Sequence, residues 1–524
     1  MSNRKKKRAN RTSRKRVPRR SPSRSGDRTE VQLAGDIHDQ AVEVAPLVEE
    51  IQKLFLHGNE LVELCNQDGR LRPTALSSKE LAYRLVGTWH FVDDRHEPIL
   101  FPKPEVLEYV VSQRLANLPE VDKIVTHPVM SLQGDVFSGN RHHRDQKLLV
   151  LSSLKVQDLP KKPTGEEVET ALSLLLDLVE GFPFADDASR ATALALPLTL
   201  LLRPFLGGQV PLFLVSAPVA GTGKSLLSSA LTYVVTGEQA ETMTLPHSET
   251  EFRKELASML RERPSVLIFD NVDKRVQGAS LASILTSSRF KQRRLGSNSV
   301  MHLEHECVFI ANGNAIRVSD EIARRAVLIE LDAGVERPAE RTGFKHTDLL
   351  AHVRDNRSEL LWAVALLVKN WVALGKPAPV KARPLGSFEV WRHVVAGILE
   401  AAGVTELLEN SEVLFRDADP EAQELHAFIA AWYDDFGKNP VSVRELFPMV
   451  ETYGLLSGLL GAGSIHSRRT KLGKLLDTIR GRVIGPHKIV AAARDRTHKV
   501  NRYTLVFVEP NARRTSSPRR RRNS

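Results

Sequence analysis

Residues 212–231 read Leu-Phe-Leu-Val-Ser-Ala-Pro-Val-Ala-Gly-Thr-Gly-Lys-Ser-Leu-Leu-Ser-Ser-Ala-Leu. An apolar strand passes into a glycine turn ending in Gly223-Lys224-Ser225, and a helix-forming run follows. This order is what a phosphate-binding loop requires. Backbone N–H groups over Ala220, Gly221, Thr222 and Gly223 can form an anion cradle, and the positive end of the next helix adds a favourable field. Lys224 is expected to reach β- and γ-phosphates, with the Ser225 hydroxyl on Mg²⁺. One position departs from G-x-x-x-x-G-K-[ST]: Pro218 stands where the first Gly would be, so the turn starts without a flexible residue.

A nucleotide hydrolase also needs a second carboxylate, expected at the end of an adjacent buried strand. Val266-Leu267-Ile268-Phe269-Asp270 supplies it, its four apolar residues fitting a parallel strand covered on both faces. Asp270 would hold Mg²⁺ through water. The next residue is Asn271 rather than an acid, with Asp273 two positions on. Asp273 and Glu251 are therefore the candidate bases, while Asn271 can position water by hydrogen bonding. A third strand, Cys307–Ala311, ends in Asn312-Gly313-Asn314, where a polar side chain can touch a γ-phosphate or the lytic water. Arg324 and Arg325 follow. Such a pair can supply a finger to a neighbouring subunit's site, worth ~10³–10⁵ in rate, or can simply pair with acids such as Asp320. Between the second and third strands, Arg289, Lys291, Arg293 and Arg294 surround Phe290 and could line a DNA-contacting loop.

Charge is uneven along the chain. Residues 1–28 hold 13 Lys/Arg and one acid, and residues 511–524 hold 6 Arg and none. Removing these tails, +12 and +6, from the whole-chain +11 leaves a body of −7. The tails are rich in Arg, Ser and Pro, so they are expected to be disordered and to attract nucleic acid without sequence preference. Lys5-Lys6-Lys7-Arg8 also fits a nuclear import signal. No apolar run reaches membrane-spanning length, and the first residues form no secretory leader. Two cysteines, Cys65 and Cys307, lie in no close-spaced cluster, which argues for a reducing compartment without a disulfide framework or zinc site. The expected location is cytoplasmic, with nucleoid association.

The expected organisation is a basic tail over 1–28, an α+β region over 29–160, a helical lead-in over 161–206 and an ATPase core over 207–335. A helical lid region over 336–415, a winged-helix-like domain over 416–510 and a basic tail over 511–524 follow. In the first region a helix is expected from about Ala41 to Phe55, with strands near Glu60–Leu64, His90–Asp93 and Leu148–Leu154. His142, His143 and Asp145 read as a polar loop. Amphipathic helices are expected over Glu166–Glu180 and Ala188–Arg203. A long helix is expected from Thr347 to Leu374, stopping at Gly375, and another opens near Ser387 as N-cap. Helices from Pro420, over Val443–Glu451 and over Ser467–Arg480 precede two β-runs, Ile489–Ala493 and Arg502–Val508. That is winged-helix order. The third helix carries Arg468, Arg469, Lys471 and Lys474, and residues 494–499 would be the wing. Protein contact is the alternative use of such a domain.

In sequence, Gly-Thr-Gly-Lys-Ser, Leu-Ile-Phe-Asp-Asn-Val, Leu-Thr-Ser…Arg-Arg-Leu-Gly, Ile-Ala-Asn-Gly-Asn, Ile-Ala-Arg-Arg and Gly-Ser-Phe-Glu-Val-Trp resemble the AAA+ ATPase/helicase proteins of phages, plasmids and integrated elements. These are related to superfamily-3 helicases and to the helicase half of primase-helicases. The resemblance covers about residues 166–405 and is looser elsewhere. It implies an α/β P-loop NTPase core with a parallel sheet flanked by helices, and a hexameric ring hydrolysing ATP with Mg²⁺ at subunit boundaries. It also implies translocation on DNA during replication of a mobile element. Lys224, Ser225, Asp270, Asn312 or Asn314, and Arg324 or Arg325 match its ATP-site positions.

The partners expected are therefore single-stranded DNA in a pore, duplex at the winged helix and tails, and further copies of the chain, with no membrane. The leading expectation is an ATP-dependent DNA helicase or translocase. The alternative is a regulatory or assembly AAA+ ATPase switch acting on protein partners without unwinding. A third reading is an initiator that binds a specific origin. Residues 29–160 contain no cluster of metal-binding acids of the kind primases use.

Overall fold

The computed structural model describes residues 28–508 except 59, 68, 114, 116, 247, 274, 294–299, 419 and 493–500. The chain divides into two compact units. One comprises residues up to Ile124 together with Asn140–Leu151, and the other Val125–Gly139 with the chain from Ser152 onward. The segment Val125–Gly139, grouped with the N-terminal region on sequence grounds, is held in the second unit. There Lys369 Nζ donates to Gly134 O at 3.1 Å and the rings of Phe137 and Phe205 stack.

In the first unit, an Asp36–Asp39 capping box starts a helix at Ile37, four residues earlier than the expected Ala41. The helix ends at Glu49, because Leu54–His57 is taken up as a strand pairing antiparallel with Glu60–Gln67. Strands Trp89–Val92 and Leu148–Leu151 overlap the expected His90–Asp93 and Leu148–Leu154, the second ending three residues early. Asn140–His143 is a strand and not a polar loop, paired antiparallel with Leu148–Leu151. The His142 ring is placed structurally: its Nε2 lies 3.2 Å from Glu120 O and its ring meets Phe55 edge-on.

The second unit is mixed α/β and is organised by one five-stranded sheet. Its strands are β1 (Leu212–Ala217), β2 (Glu241–Met243), β3 (Val266–Val272), β4 (Val308–Asn314) and β5 (Ala326–Glu330), in the spatial order β2-β3-β4-β1-β5. All four pairings are parallel. Parallel strands need crossover connections that cover both faces, so the central positions of β1, β3, β4 and β5 must be apolar on both sides, while polar residues gather at their C-terminal ends. The sequence obeys: Phe213, Val215, Val266, Ile268, Val308, Ile310, Val327 and Ile329 enter one core, and Leu212, Leu214, Leu267, Phe269, Phe309, Ala311, Ala326 and Leu328 the other. Helices Gly165–Val179, Asp187–Leu202, Lys224–Thr236, Arg357–Ala373 and Glu389–Ala401 supply the first core, and Glu249–Arg261 the second. Within the first, the buried Trp391 Nε1 donates to Thr199 Oγ1 at 2.8 Å, satisfying both groups without water.

Two helical expectations need correction. The long helix over 347–374 is two, Leu349–Asp355 and Arg357–Ala373, broken at Asn356. The break lets Arg357 reach the carbonyls of Val234 and Val235, at 3.2 and 2.6 Å, at the negative end of helix Lys224–Thr236. Ser387 is no N-cap. It has φ +70°, its backbone N–H donates to Glu389 Oε1 at 3.1 Å, and the cap position falls to Phe388 without a side-chain bond. The stop at Gly375 is present, with φ +82°.

The C-terminal elements are helices Pro420–Phe436, Val443–Thr452, Ser457–Leu460 and Ile465–Ile479, with His487–Ala491 and Arg502–Phe507 pairing antiparallel. Two short strands, Val441–Ser442 and Val483–Ile484, flank that pair. Phe428, Trp432, Leu446, Leu472, Leu476, Ile489 and Leu505 close a separate small core. Among the described residues no helix is long and apolar enough to cross a membrane.

Candidate functional site

The candidate site lies at the C-terminal ends of β1, β3 and β4. After β1 the chain turns through Pro218–Gly223 into helix Lys224–Thr236. The left-handed backbone falls on Gly221 and Gly223, with φ +82° and +96°. Pro218 occupies a place that needs only negative φ, so the first glycine of the pattern is dispensable here. A Cβ on Gly221 would lie 2.9 Å from Ala339 Cβ, and one on Gly223 would lie 3.0 Å from Phe182 Cε1. Both positions are therefore closed to larger residues by packing as well as by φ. Gly223 is the helix N-cap and brings no side chain to it. The N–H groups of the first turn are thus left for an external acceptor.

Three polar side chains meet the turn from the neighbouring strands. Lys224 Nζ donates to Asn314 Oδ1 at 2.8 Å, to Thr222 Oγ1 at 3.2 Å and to Val219 O at 3.3 Å. Burial lowers the Lys224 pKa below the usual lysine value, and the nearby Asp270 carboxylate works against that shift. Ser225 Oγ donates to Asp270 Oδ1 at 3.1 Å. Asn312, 2% exposed, donates through Nδ2 to the same oxygen at 3.4 Å and accepts from Ser228 Oγ at 2.8 Å.

The expected adjacency of the phosphate-loop strand and the acid-bearing strand is not what the sheet shows. β4 runs between β1 and β3, so Asn312 and Asn314 sit between Lys224 and Asp270 in the site. The two asparagines also separate in role. Asn312 is buried and braces Asp270, whereas Asn314 is exposed and holds the lysine.

The end of β3 is bulged. Phe269 pairs with Ala311 and Val272 with Gly313, so three steps on β3 match two on β4. Bulges re-aim side chains at strand ends. The extra residue is absorbed at Asp270-Asn271, with Asn271 at φ +52°. That conformation explains the residue type, since Asn tolerates left-handed backbone better than Glu. The bulge also requires Gly313, where a Cβ would lie 2.2 Å from Val272 O. Asp273 is exposed just beyond the bulge. Glu251 is exposed and pairs with Lys254 Nζ at 2.8 Å.

Arg324 and Arg325 follow the short helix Asp320–Ala323, capped by Ser319. Arg325 is engaged within the chain: its Nη1 donates to Glu321 O at 2.5 Å, and its Nη2 lies 3.5 Å from Glu321 Oε1. Its carbonyl accepts from Leu212 N at 2.9 Å. Arg324 is exposed and donates through Nε to Asp320 O at 3.2 Å.

The basic segment between β3 and β4 is a β-hairpin, Arg289–Arg293 against Val300–Glu304. Phe290 is buried beneath the guanidinium of Arg253, 5.3 Å from its ring centroid, so it serves packing. Arg289 pairs with Glu304 at 2.9 Å, and Lys291 is exposed. Arg293 ends the first strand, and Arg294 lies outside the described residues. On helix Ile465–Ile479, Arg468 pairs with Glu451 at 2.8 Å and Lys471 Nζ donates to Leu460 O at 2.7 Å. Arg469 and Lys474 are the two basic residues of that helix without such a tie to Glu451 or Leu460, and Lys474 is exposed. The 494–499 loop, residues 1–27 and residues 511–524 lie outside the described residues.

Sequence reasoning missed Ser228 and Phe182. Ser228 follows Lys224 by four residues and so shares its helix face, which is a signal that could have found it. Phe182 reaches Gly223 only through tertiary packing, and nothing local announces it.

No family model matches the chain, and no curated protein does. Among solved structures it is similar to the apo A form of the NrS-1 C-terminal region. The identity is 12% and the TM-score 0.41, over 86% of this chain and 95% of that one. A second apo A-form structure of that region, spanning residues 305–718, gives the same identity and score over 88% and 98%.

Proposed function

We propose that the chain binds ATP with Mg²⁺ at the turn after β1 and is an ATP-dependent DNA helicase or translocase working as a ring. The carrying observation is the convergence of Asp270 from β3 and Asn314 from β4 on Lys224 and Ser225 at an uncapped, glycine-bounded helix start. The residue types fit the group. An ammonium and first-turn N–H groups suit phosphate, and a hydroxyl beside a carboxylate suits Mg²⁺. The bound metal would neutralise charge developing on the transferred phosphoryl group. Lys224 would hold the β- and γ-phosphates, Asn312 would keep Asp270 oriented, and Asn314 would release Lys224 and meet the terminal phosphate. Arg324, exposed and lightly tethered, is favoured over Arg325 as the finger offered to a neighbouring subunit. Single-stranded DNA would run along the hairpin at 289–304, and the C-terminal helix would contact duplex through Arg469 and Lys474.

Steady-state ATP hydrolysis by the full chain, with and without single-stranded DNA and beside Lys224→Ala, tests this. Hydrolysis that rises with DNA and vanishes in the variant supports the motor. Hydrolysis indifferent to DNA supports the second reading, an ATPase switch acting on protein partners. That reading is favoured by Asn271 in place of an acid, and by the intramolecular pairing of Arg289, Arg468 and Lys471. No hydrolysis and no nucleotide binding would refute both.

A further inference from the structure

Away from the turn after β1, Asp177, His346 and His352 come together, each half-buried, with one potential ligand atom apiece within 4.8 Å of the others. We infer that these three side chains form a binding site for a transition-metal dication of the zinc type, clipping helix Gly165–Val179 to helix Leu349–Asp355.

The donor set is two imidazoles and a carboxylate, which suits Zn²⁺ and leaves a fourth position open. The partners are 169 residues apart in sequence, so local chain chemistry does not explain their meeting. His346 Nε2 lies 2.9 Å from Asp177 Oδ2. The two imidazole rings face each other with centroids 3.8 Å apart and 25° between planes. Two imidazolium rings at that spacing would repel. The neutral form is the one a metal takes. Ligands of a tetrahedral zinc ion lie about 3.3 Å apart, given Zn–N and Zn–O distances of about 2.0–2.2 Å. The cluster therefore needs a closure of at most roughly 1.5 Å. Asn356 Nδ2 lies 3.1 Å from His352 Nδ1, which leaves Nε2 as the ligand atom.

A cation already occupies the carboxylate. Lys345 Nζ donates to Asp177 Oδ1 and lies 3.5 Å from Glu180 Oε2. A metal on the Oδ2 side would share the carboxylate with this ammonium and be repelled by it, which makes Lys345 a competitor whose removal should strengthen binding.

The experiment is calorimetric titration of the tag-free full chain with Zn²⁺ alone, alongside thermal unfolding with and without the ion. One saturable equivalent that raises the unfolding midpoint is expected. Losing an outer-shell partner typically weakens a metal site by 10–100-fold, so His346→Gln and His352→Gln should each weaken it by at least about tenfold. Lys345→Ala should tighten it several-fold. Absence of saturable binding in the parent protein, or affinity unchanged in both histidine variants, overturns the site. Should either histidine variant fail to fold, Lys345→Ala decides, because unchanged affinity there overturns it as well.

Discussion

Lys224 and Asn314 are joined head to head, Nζ donating to Oδ1 at 2.8 Å, from the start of the helix after β1 to the end of the neighbouring strand β4. The lysine that would bind phosphate is thus parked on the side chain that would sense it. Exchange of one partner for the other is a coupled event, and the two asparagines of β4 should separate in their effects. Asn314→Ala is expected to leave thermal unfolding unchanged, because the residue is exposed, while lowering ATP hydrolysis by about 10²-fold, as loss of one charge-stabilising donor does. Asn312→Ala removes a buried amide bonded to both Ser228 and Asp270. It is expected to cost about 2 kcal/mol of stability. Paired thermal melts and hydrolysis rates check the split, and an equal stability loss in both variants would refute it.

Asn271 gives a second test. Its φ of +52° makes it a conformational residue first. Replacing it with Glu, the acid commonly placed there, puts a bulkier side chain into left-handed backbone at a cost of roughly 1–2 kcal/mol. Asn271→Glu is expected to destabilise without raising hydrolysis, whereas Asn271→Gly should keep stability within about 1 kcal/mol. A hydrolysis rate that climbs in Asn271→Glu would mean the bulge still aims this position at the attacking water.

The sheet was readable because its strands are apolar on both faces, which only a doubly covered parallel sheet requires. The turn was readable because glycine, lysine and serine carry their conformational and chemical demands locally. Strand order was not, since Val308–Asn314 is as apolar as its neighbours and nothing in it says that it lies between β1 and β3. The bulge at Asp270-Asn271 was hidden for a related reason. It is a mismatch between two strands, visible in sequence only as an Asn where an acid is usual and a Gly in the partner strand. The break at Asn356 escaped notice because both flanking segments continue one apolar pattern, and the contact that favours the break, Arg357 on the carbonyls of Val234 and Val235, is 120 or more residues distant in sequence. Charge misled most. Arg289, Arg468 and Lys471 looked available in sequence, but each is held by a partner supplied from another element or strand.

The paired arginines should also separate. Arg325 anchors its own turn through Glu321, while Arg324 is exposed. Arg324→Ala is expected to preserve nucleotide binding and the unfolding midpoint while cutting hydrolysis by ~10³-fold, the lower end for a finger acting in trans. Arg325→Ala is expected to lower the unfolding midpoint, because it removes the guanidinium's ties to the Glu321 carbonyl and carboxylate. Mixing Arg324→Ala with Lys224→Ala protein gives the sharper readout. If the finger acts across a subunit boundary, mixed assemblies regain part of the activity that each variant lacks, and no recovery would place Arg324 outside that role.

His127 sets a pH dependence that is independent of the nucleotide reading. It is 3% exposed, its Nδ1 lies 2.9 Å from Pro128 O, and burial pushes its pKa down from 6.5 to about 4. The unfolded chain therefore binds a proton between pH 6.5 and about 4 that the folded chain refuses. Its contribution is fully present above pH 6.5, is lost as pH falls towards 4, and is flat below that. A shift of this size corresponds to on the order of 3 kcal/mol. His305, buried and likewise pushed to about 4, acts over the same window. His127→Asn keeps a donor for the Pro128 carbonyl but cannot titrate. It is expected to be somewhat less stable than the parent near neutral pH and to lose less stability on acidification. Urea unfolding at about pH 7, 5.5 and 4.5 measures both slopes, and parallel slopes would show that His127 is protonated in the folded chain.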